Sequence, residues 1–278
     1  DQTPFYAESG GQIGDTGTIS GAGIDLKILD VKKENNSFIH ICEGNLDKSG
    51  EVTCKVDGPR RRSTMNNHTA AHLVYKAFKT VLGDHVNQAG PYVHPDYLRF
   101  DITHFEKITG DQIKKIESIV NKQILLNTKL DVTIKSYDDA KAAGAEALFG
   151  EKYGDEVRVV QVGDYSMELC GGTHVERTGD IGSFKITEES SLASGVRRIV
   201  AITGQKAVEE IQSNAFVLSS LQHVLNTPPS GMIERVKGLL REKKDLEKKL
   251  KQKKSQSSSE IDLLSSAEIF ACHAIIIH

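Results

Sequence analysis

H-T-A-A-H (residues 68–72) and C-G-G-T-H (residues 170–174) are two pairs of metal-binding side chains with the same spacing, set far apart in the chain. On a helix, positions i and i+4 lie on one face about one turn apart, so His68 and His72 aim both imidazoles at a single point. Two glycines between Cys170 and His174 let the backbone turn tightly. Three imidazoles and one thiolate suit Zn²⁺, which accepts nitrogen and sulfur ligands tetrahedrally. A lone H-x-x-x-H is weak, because such pairs arise by chance on many helices. The bland alternative is two unrelated pairs, with His72 facing core or solvent. Two matched pairs that use three of the ten histidines and one of the four cysteines favour one ion per chain.

The same stretch excludes a zincin. Metalloprotease helices carry H-E-x-x-H, and Thr69 stands where the general base would be. Four protein ligands close the shell, as in structural zinc; catalysis needs a weak or displaced ligand, or five-coordination. Composition leaves that choice open.

At 278 residues the chain has room for two domains with a sizeable core, and its net charge of −3 confines any polyanion binding to local patches. Four scattered cysteines do not form a disulfide framework, and a Cys170 ligand requires a reducing compartment, which implies the cytoplasm. No membrane span or secretory signal is visible. The chain starts at Asp1 inside a structured motif and stops at His278 after an apolar run, so both ends read as cut from something longer.

Working outward, residues 1–58 read as short strands punctuated by Gly10, Gly11, Gly14, Gly17, Gly21 and Gly23. Helices are expected over 65–82 and 110–127, the second opened by a Thr109/Gln112 capping box. Strands are expected over 130–135, 157–162, 183–187 and 196–203, with a short helix over 137–145. This interleaving without a β-α-β rhythm favours α+β. From 206 the texture turns helical, broken at Pro228 and Pro229. Met232, Leu239 and Leu246 form one seam, and Val236, Lys243 and Leu250 the other, which suggests an antiparallel helical hairpin. Residues 255–259 read as a polar breaker, and 259–278 as the start of a further domain.

Four stretches carry a family likeness: T-P-F-Y-A-E-S-G-G-Q-I-G-D-T-G (3–17), R-R-S-T-M-N-N-H-T-A-A-H (61–72), E-L-C-G-G-T-H (168–174) and S-G-V-R-R-I (194–199). Together they resemble the editing region of alanyl-tRNA synthetases, over residues 1–203 and in that family's order. The resemblance implies a small Gly-rich β subdomain (1–58) on a zinc-binding α+β editing domain (59–204), then a hairpin linker (205–258). It implies zinc-dependent hydrolysis of the ester joining serine or glycine to tRNA-Ala. The zinc ligands map onto His68, His72, Cys170 and His174, and the substrate-side catalytic residues onto Thr3 and Gln12. ATP would belong to an aminoacylation domain before Asp1, and oligomerisation to a C-terminal domain beyond His278.

Each residue also has a plainer role. Thr3 serves equally as a strand hydroxyl, and Gln12 as an exposed hairpin residue. The loop at Gly10 and Gly11 lacks the Gly-Lys-Ser/Thr ending of a P-loop, which excludes ATP there; its glycines would let N–H groups approach the ester carbonyl or the terminal ribose. Asn66 and Asn67 suit helix caps. Arg60, Arg61, Arg62, Arg197 and Arg198 suit phosphates of the tRNA acceptor end, or nearby carboxylates. Residues 241–254 carry eight basic and three acidic residues, either a solvated helix face or a tRNA-facing one. Besides a deacylase, a non-catalytic zinc-stapled tRNA-binding module and a threonyl-type editing module stay open.

Overall fold

Ile19, Leu26, Ile28 and Val31 point apolar side chains to one face of a four-stranded antiparallel sheet, with the N-terminal Phe5 and Ala7 packed on it. Its strands are β1 (Gly17–Gly21), β2 (Ile24–Glu34), β3 (Ser37–Leu46) and β4 (Val52–Val56), in the order β3-β2-β1-β4. The structure is a computed structural model that describes residues 2–35, 37–47, 49–147, 153–265, 269–270 and 273–274, with side chains up to 254. It divides into two compact units, residues 1–211 and 212–278.

Helix α1 spans Gly58–Leu82 and starts seven residues earlier than the apolar pattern suggests. Asp57 caps it by accepting the N–H of Arg60 at 3.1 Å, and Pro59 sits in the first turn, where its missing N–H costs nothing. Arg60, Arg61 and Arg62 are therefore helical, and Asn66 and Asn67 are no caps. Asn67 is instead a buried tie: its Nδ2 donates to His94 O at 2.7 Å and its Oδ1 accepts from the Thr203 hydroxyl at 2.7 Å.

Leu73, Val74, Ala77 and Phe78 of α1 are at most 1% exposed and form the centre of the main core. They pack among residues of the sheet β10-β11-β6-β5, built from β5 (Gln88–Val93), β6 (Leu98–Thr103), β10 (Phe184–Ala193) and β11 (Val196–Thr203). Helix α2 (Gly110–Leu125) adds Ile116, Val120 and Ile124 to the same core, and its Thr109/Gln112 capping box is present. The strands β5 and β6 escape the sequence pattern because Gly90 and Pro91 in β5 look like a turn.

A third sheet, β7-β8-β9, consists of β7 (Leu130–Ser136), β8 (Glu156–Val162) and β9 (Ser166–Leu169), with the short helix α3 (Tyr137–Ala142) after β7. β9 ends directly before Cys170. The mixed architecture with antiparallel sheets is α+β.

Helix α4 (Gly204–Leu225) passes into the second unit, which continues as α5 (Met232–Ser265) and the short pair β12 (Ile269–Phe270) and β13 (His273–Ala274). α5 runs straight through 255–259, so the expected breaker is not one; serine is a mediocre helix former rather than a stop. Met232 is buried, but Leu246 and Leu250 are 60% exposed, as are Phe216 and Val224 of α4 to an even greater degree. The apolar seam is open to solvent along most of its length instead of closing a packed hairpin. Residues 275–278, most of the expected terminal apolar run, lie outside the described residues.

Candidate metal centre

His68 and His72 project from the middle of α1, one turn apart, and are 6% and 5% exposed. From the opposite side β9 delivers Cys170, whose N–H bonds the carbonyl of Arg158 on β8 at 3.0 Å. The Arg158 guanidinium reaches back and donates to the carbonyls of Cys170 and Gly172, at 2.8 Å each, which holds the turn. His174 returns so that Cys170 Sγ stands 3.2 Å from His174 Nε2 and 3.3 Å from His68 Nε2. A Cβ at Gly172 would lie 2.0 Å from His68 Cε1, so only glycine passes the imidazole there.

One ligand atom from each of His68, His72, Cys170 and His174 lies within 4.8 Å of the other three. With metal–nitrogen bonds of ~2.0–2.1 Å and a metal–sulfur bond of ~2.3 Å, the N···S edge of a tetrahedron is ~3.6 Å. The two observed N···S distances fall within a few tenths of an ångström of it. Burial lowers the pKa of His72 to about 3, with the Arg158 cation adding to the effect. Burial likewise takes His68 and His174 well below the usual imidazole range, helped by the neighbouring histidines and Arg158. All three are neutral at pH 7, the form a metal takes. The donor set, its spacing and its protonation state fit zinc.

Two of the imidazoles are held from behind. Gln12 Oε1 accepts from His68 Nδ1 at 2.6 Å, which leaves Nε2 free for an ion, and it also accepts the Thr173 N–H at 2.9 Å. The Gln12 amide donates to Thr173 Oγ1 at 2.9 Å. Thr69 Oγ1 lies 3.1 Å from His174 Nδ1 and accepts the Val175 N–H at 3.2 Å. Among the described residues His72 has no such partner. Its Nδ1 is buried without a hydrogen bond, and its Nε2 is 3.7 Å from Glu168 Oε2. Burial pushes the Glu168 carboxyl up to about 7, against a hydrogen bond from Ser166 Oγ at 3.0 Å.

A cavity of about 20 Å³, the size of roughly one water, touches this centre. His68, His72, Cys170, Glu168, Gln88 and Gly10 line it, and His174 does not. Gln88, Glu168 and Leu169 also bound an 80 Å³ cavity that shares Tyr75, Glu146 and Glu168 with a wider surface pocket of 300 Å³.

Of the other residues singled out in the sequence, Gln12 is fully buried rather than an exposed hairpin residue. Gly10 faces the small cavity, whereas Gly11, at φ +80°, packs against the Pro91 carbonyl of β5. Thr3 Oγ1 bonds His40 Nε2 at 2.8 Å and accepts the Phe5 N–H at 3.3 Å. Arg60 donates to Gly14 O, and Arg61 is clamped on the buried Asp15. Arg197 pairs with Glu189, and Arg198 makes two 2.8 Å bonds to Asp101. Arg62 is 64% exposed, with Asp180 no closer than 4.0 Å. Thr69, Gln88, Arg158 and Glu168 are the residues that sequence reasoning missed. Thr69 and Glu168 lie inside the quoted motifs, but nothing in their spacing announces contact with a ligand.

Residues 157–200 match the family described as the threonyl and alanyl tRNA synthetase second additional domain, and residues 1–60 match the class II (A) tRNA synthetases. The chain is 49% identical over 273 residues to an alanine–tRNA ligase of Acetivibrio thermocellus, covering 96% of this chain and 31% of that one. It is 47% identical over 275 residues to the alanine–tRNA ligase of Alkaliphilus oremlandii (97% and 31%). To that of Pseudoalteromonas translucida it is 47% identical over 254 residues (91% and 29%). The chain thus spans under a third of the length of these relatives.

Proposed function

The chain is a relative of the alanine–tRNA ligases along nearly its whole length, and on that footing we propose that it is an editing deacylase, hydrolysing the ester of serine or glycine on tRNA-Ala. The observation that carries this reading is the convergence of three neutral imidazoles and one thiolate beside a small cavity, in a chain of this kinship. The task is one such a centre suits. A pocket sized for alanine rejects glycine and serine poorly, because one methyl or one hydroxyl is worth only ~1–3 kcal/mol, so a second hydrolytic site is needed.

Zinc bound by His68, His72, Cys170 and His174 would supply Lewis-acid chemistry toward an ester carbonyl or a water. The chain's own groups do the rest. Gln12 and Thr69 fix the orientation of His68 and His174. Burial keeps the imidazoles unprotonated. Gly10, Gln88 and Glu168 bound the one-water space next to the ligands, where an attacking water would sit. Thr3 is the proposed reader of the serine hydroxyl, in exchange for its bond to His40. Arg62 is the proposed phosphate contact nearest the start of α1, being the most exposed arginine of its cluster.

The test compares hydrolysis of Ser-, Gly- and Ala-tRNA-Ala by the 278-residue chain. Serine and glycine should be released and alanine retained, and Cys170→Ala should abolish release while tRNA binding survives. Thr3→Val should slow the seryl substrate more than the glycyl one. Binding without hydrolysis would leave a zinc-stapled tRNA-binding module, and preference for tRNA-Thr a threonyl-type editor.

A further inference from the structure

The four ligands are not held equally, and the difference falls on the side where the centre opens. His68 is backed by Gln12 at 2.6 Å and His174 by Thr69 at 3.1 Å. Both supports are fully buried, at 0% exposure, and Gln12 and Thr69 each make a further bond to the backbone of the Cys170–His174 turn or the residue after it. Cys170 is fixed by the two carbonyl bonds from Arg158 and by the Gly172 N–H, which reaches Sγ at 3.4 Å. Of the His72 nitrogens, Nδ1 is buried with no hydrogen-bond partner among the described residues and Nε2 has Glu168 Oε2 at 3.7 Å, beyond hydrogen-bond reach, so whichever faces an ion the other is unsupported.

We infer that His72 is the exchangeable ligand of this centre, the one whose departure opens it toward the cavity bounded by Gly10, Gln88 and Glu168. The inference rests on the zinc reading above. It answers how a set of four protein ligands, closed on paper, takes a donor from outside the chain. The group that would come in is an uncharged oxygen donor the size of a water: besides the ligands and Gly10, the cavity walls are Ala71, Pro91, Phe100 and Leu169 with the Gln88 amide and the Glu168 carboxyl, and no cation lines it to attract an anion. Glu168 Oε2 is placed to accept the N–H of the released imidazole, since Ser166 occupies only its other oxygen. His174 lies off this cavity and His68 is pinned by Gln12, so neither can leave toward it.

Outer-shell partners are worth ~10–100-fold in metal affinity. Chelator competition on the full chain should therefore show His72→Ala binding Zn²⁺ ~10–100-fold more tightly than His68→Ala or His174→Ala. A second measurement needs no substitution. In the Co²⁺ form, two paramagnetically shifted imidazole N–H signals should exchange slowly with water, those of His68 and His174, and the third rapidly. Conversion to His72→Asn should remove the rapid signal alone. Equal affinity losses for the three alanine variants, or three equally protected N–H signals, would overturn the inference. Neither readout involves tRNA, so failure here is separable from failure of the deacylase reading, which the aminoacyl-ester assay decides.

Discussion

Replacing Gln12 with leucine removes three hydrogen bonds at nearly constant volume. His68 Nδ1–H loses its acceptor in a buried site, and a buried unsatisfied donor costs about 1–3 kcal/mol. Thr173 loses one acceptor and one donor but is only half-buried, so each of those bonds counts for about 0.5–1.5 kcal/mol. The sum is about 2–6 kcal/mol, large against the 5–15 kcal/mol typical of a folded domain. The imidazole also loses the group that sets its tautomer, so metal affinity should fall ~10–100-fold. Urea unfolding of the metal-free protein reads the first effect, and competition with a chromophoric chelator reads the second. Slow hydrolysis with unchanged stability and unchanged metal affinity would refute the reasoning, and would put Gln12 on the substrate instead of behind His68.

Four further outcomes are expected. Gly172→Ala should disrupt metal binding because its Cβ would strike His68 and Gln12, while Gly171→Ala, with nothing within 4 Å, should leave the zinc titration unchanged. Metal-free protein should lose stability on acidification in urea melts. The depressed imidazoles contribute fully above pH 6.5 and less as pH falls below it, for His72 down to about 3, whereas Glu168, raised to about 7 from 4.5, contributes below 4.5 and loses this as pH rises. Between those values three imidazoles outweigh one carboxyl, and a midpoint that rose from pH 6.5 to 4.5 would contradict the buried, neutral set. Arg62→Ala should flatten the salt dependence of tRNA binding by about one unit of slope with no change in melting. Arg197→Ala should instead destabilise the fold by about 3 kcal/mol, because it strands the buried Glu189 carboxylate.

The cluster that could hold a metal was legible because metal-ligand chemistry and helix periodicity both speak through spacing, and His68, His72, Cys170 and His174 do converge. The capping box of α2 and the strand β11 were legible for similar local reasons. What was hidden depends on partners far away in the chain. Nothing near Arg61, Arg197 or Arg198 indicates that Asp15, Glu189 and Asp101 take up their charges. Asn67 looks like a cap until Asp57 and Pro59 start the helix earlier and bury it against His94 and Thr203. Thr69 read only as a missing base, yet it backs His174. The heptad in α5 promised a packed seam, but periodicity records which residues share a face and not whether anything covers it.

The central claim is that residues from α1 and from the turn after β9 hold one zinc between them. Zinc K-edge absorption on the purified 278-residue chain, with metal content measured on the same sample, tests it most directly. One zinc per chain is expected, with three nitrogen scatterers at ~2.0–2.1 Å and one sulfur at ~2.3 Å, the sulfur vanishing in Cys170→Ala. A shell of nitrogen and oxygen only, or a sulfur that survives Cys170→Ala, would contradict it.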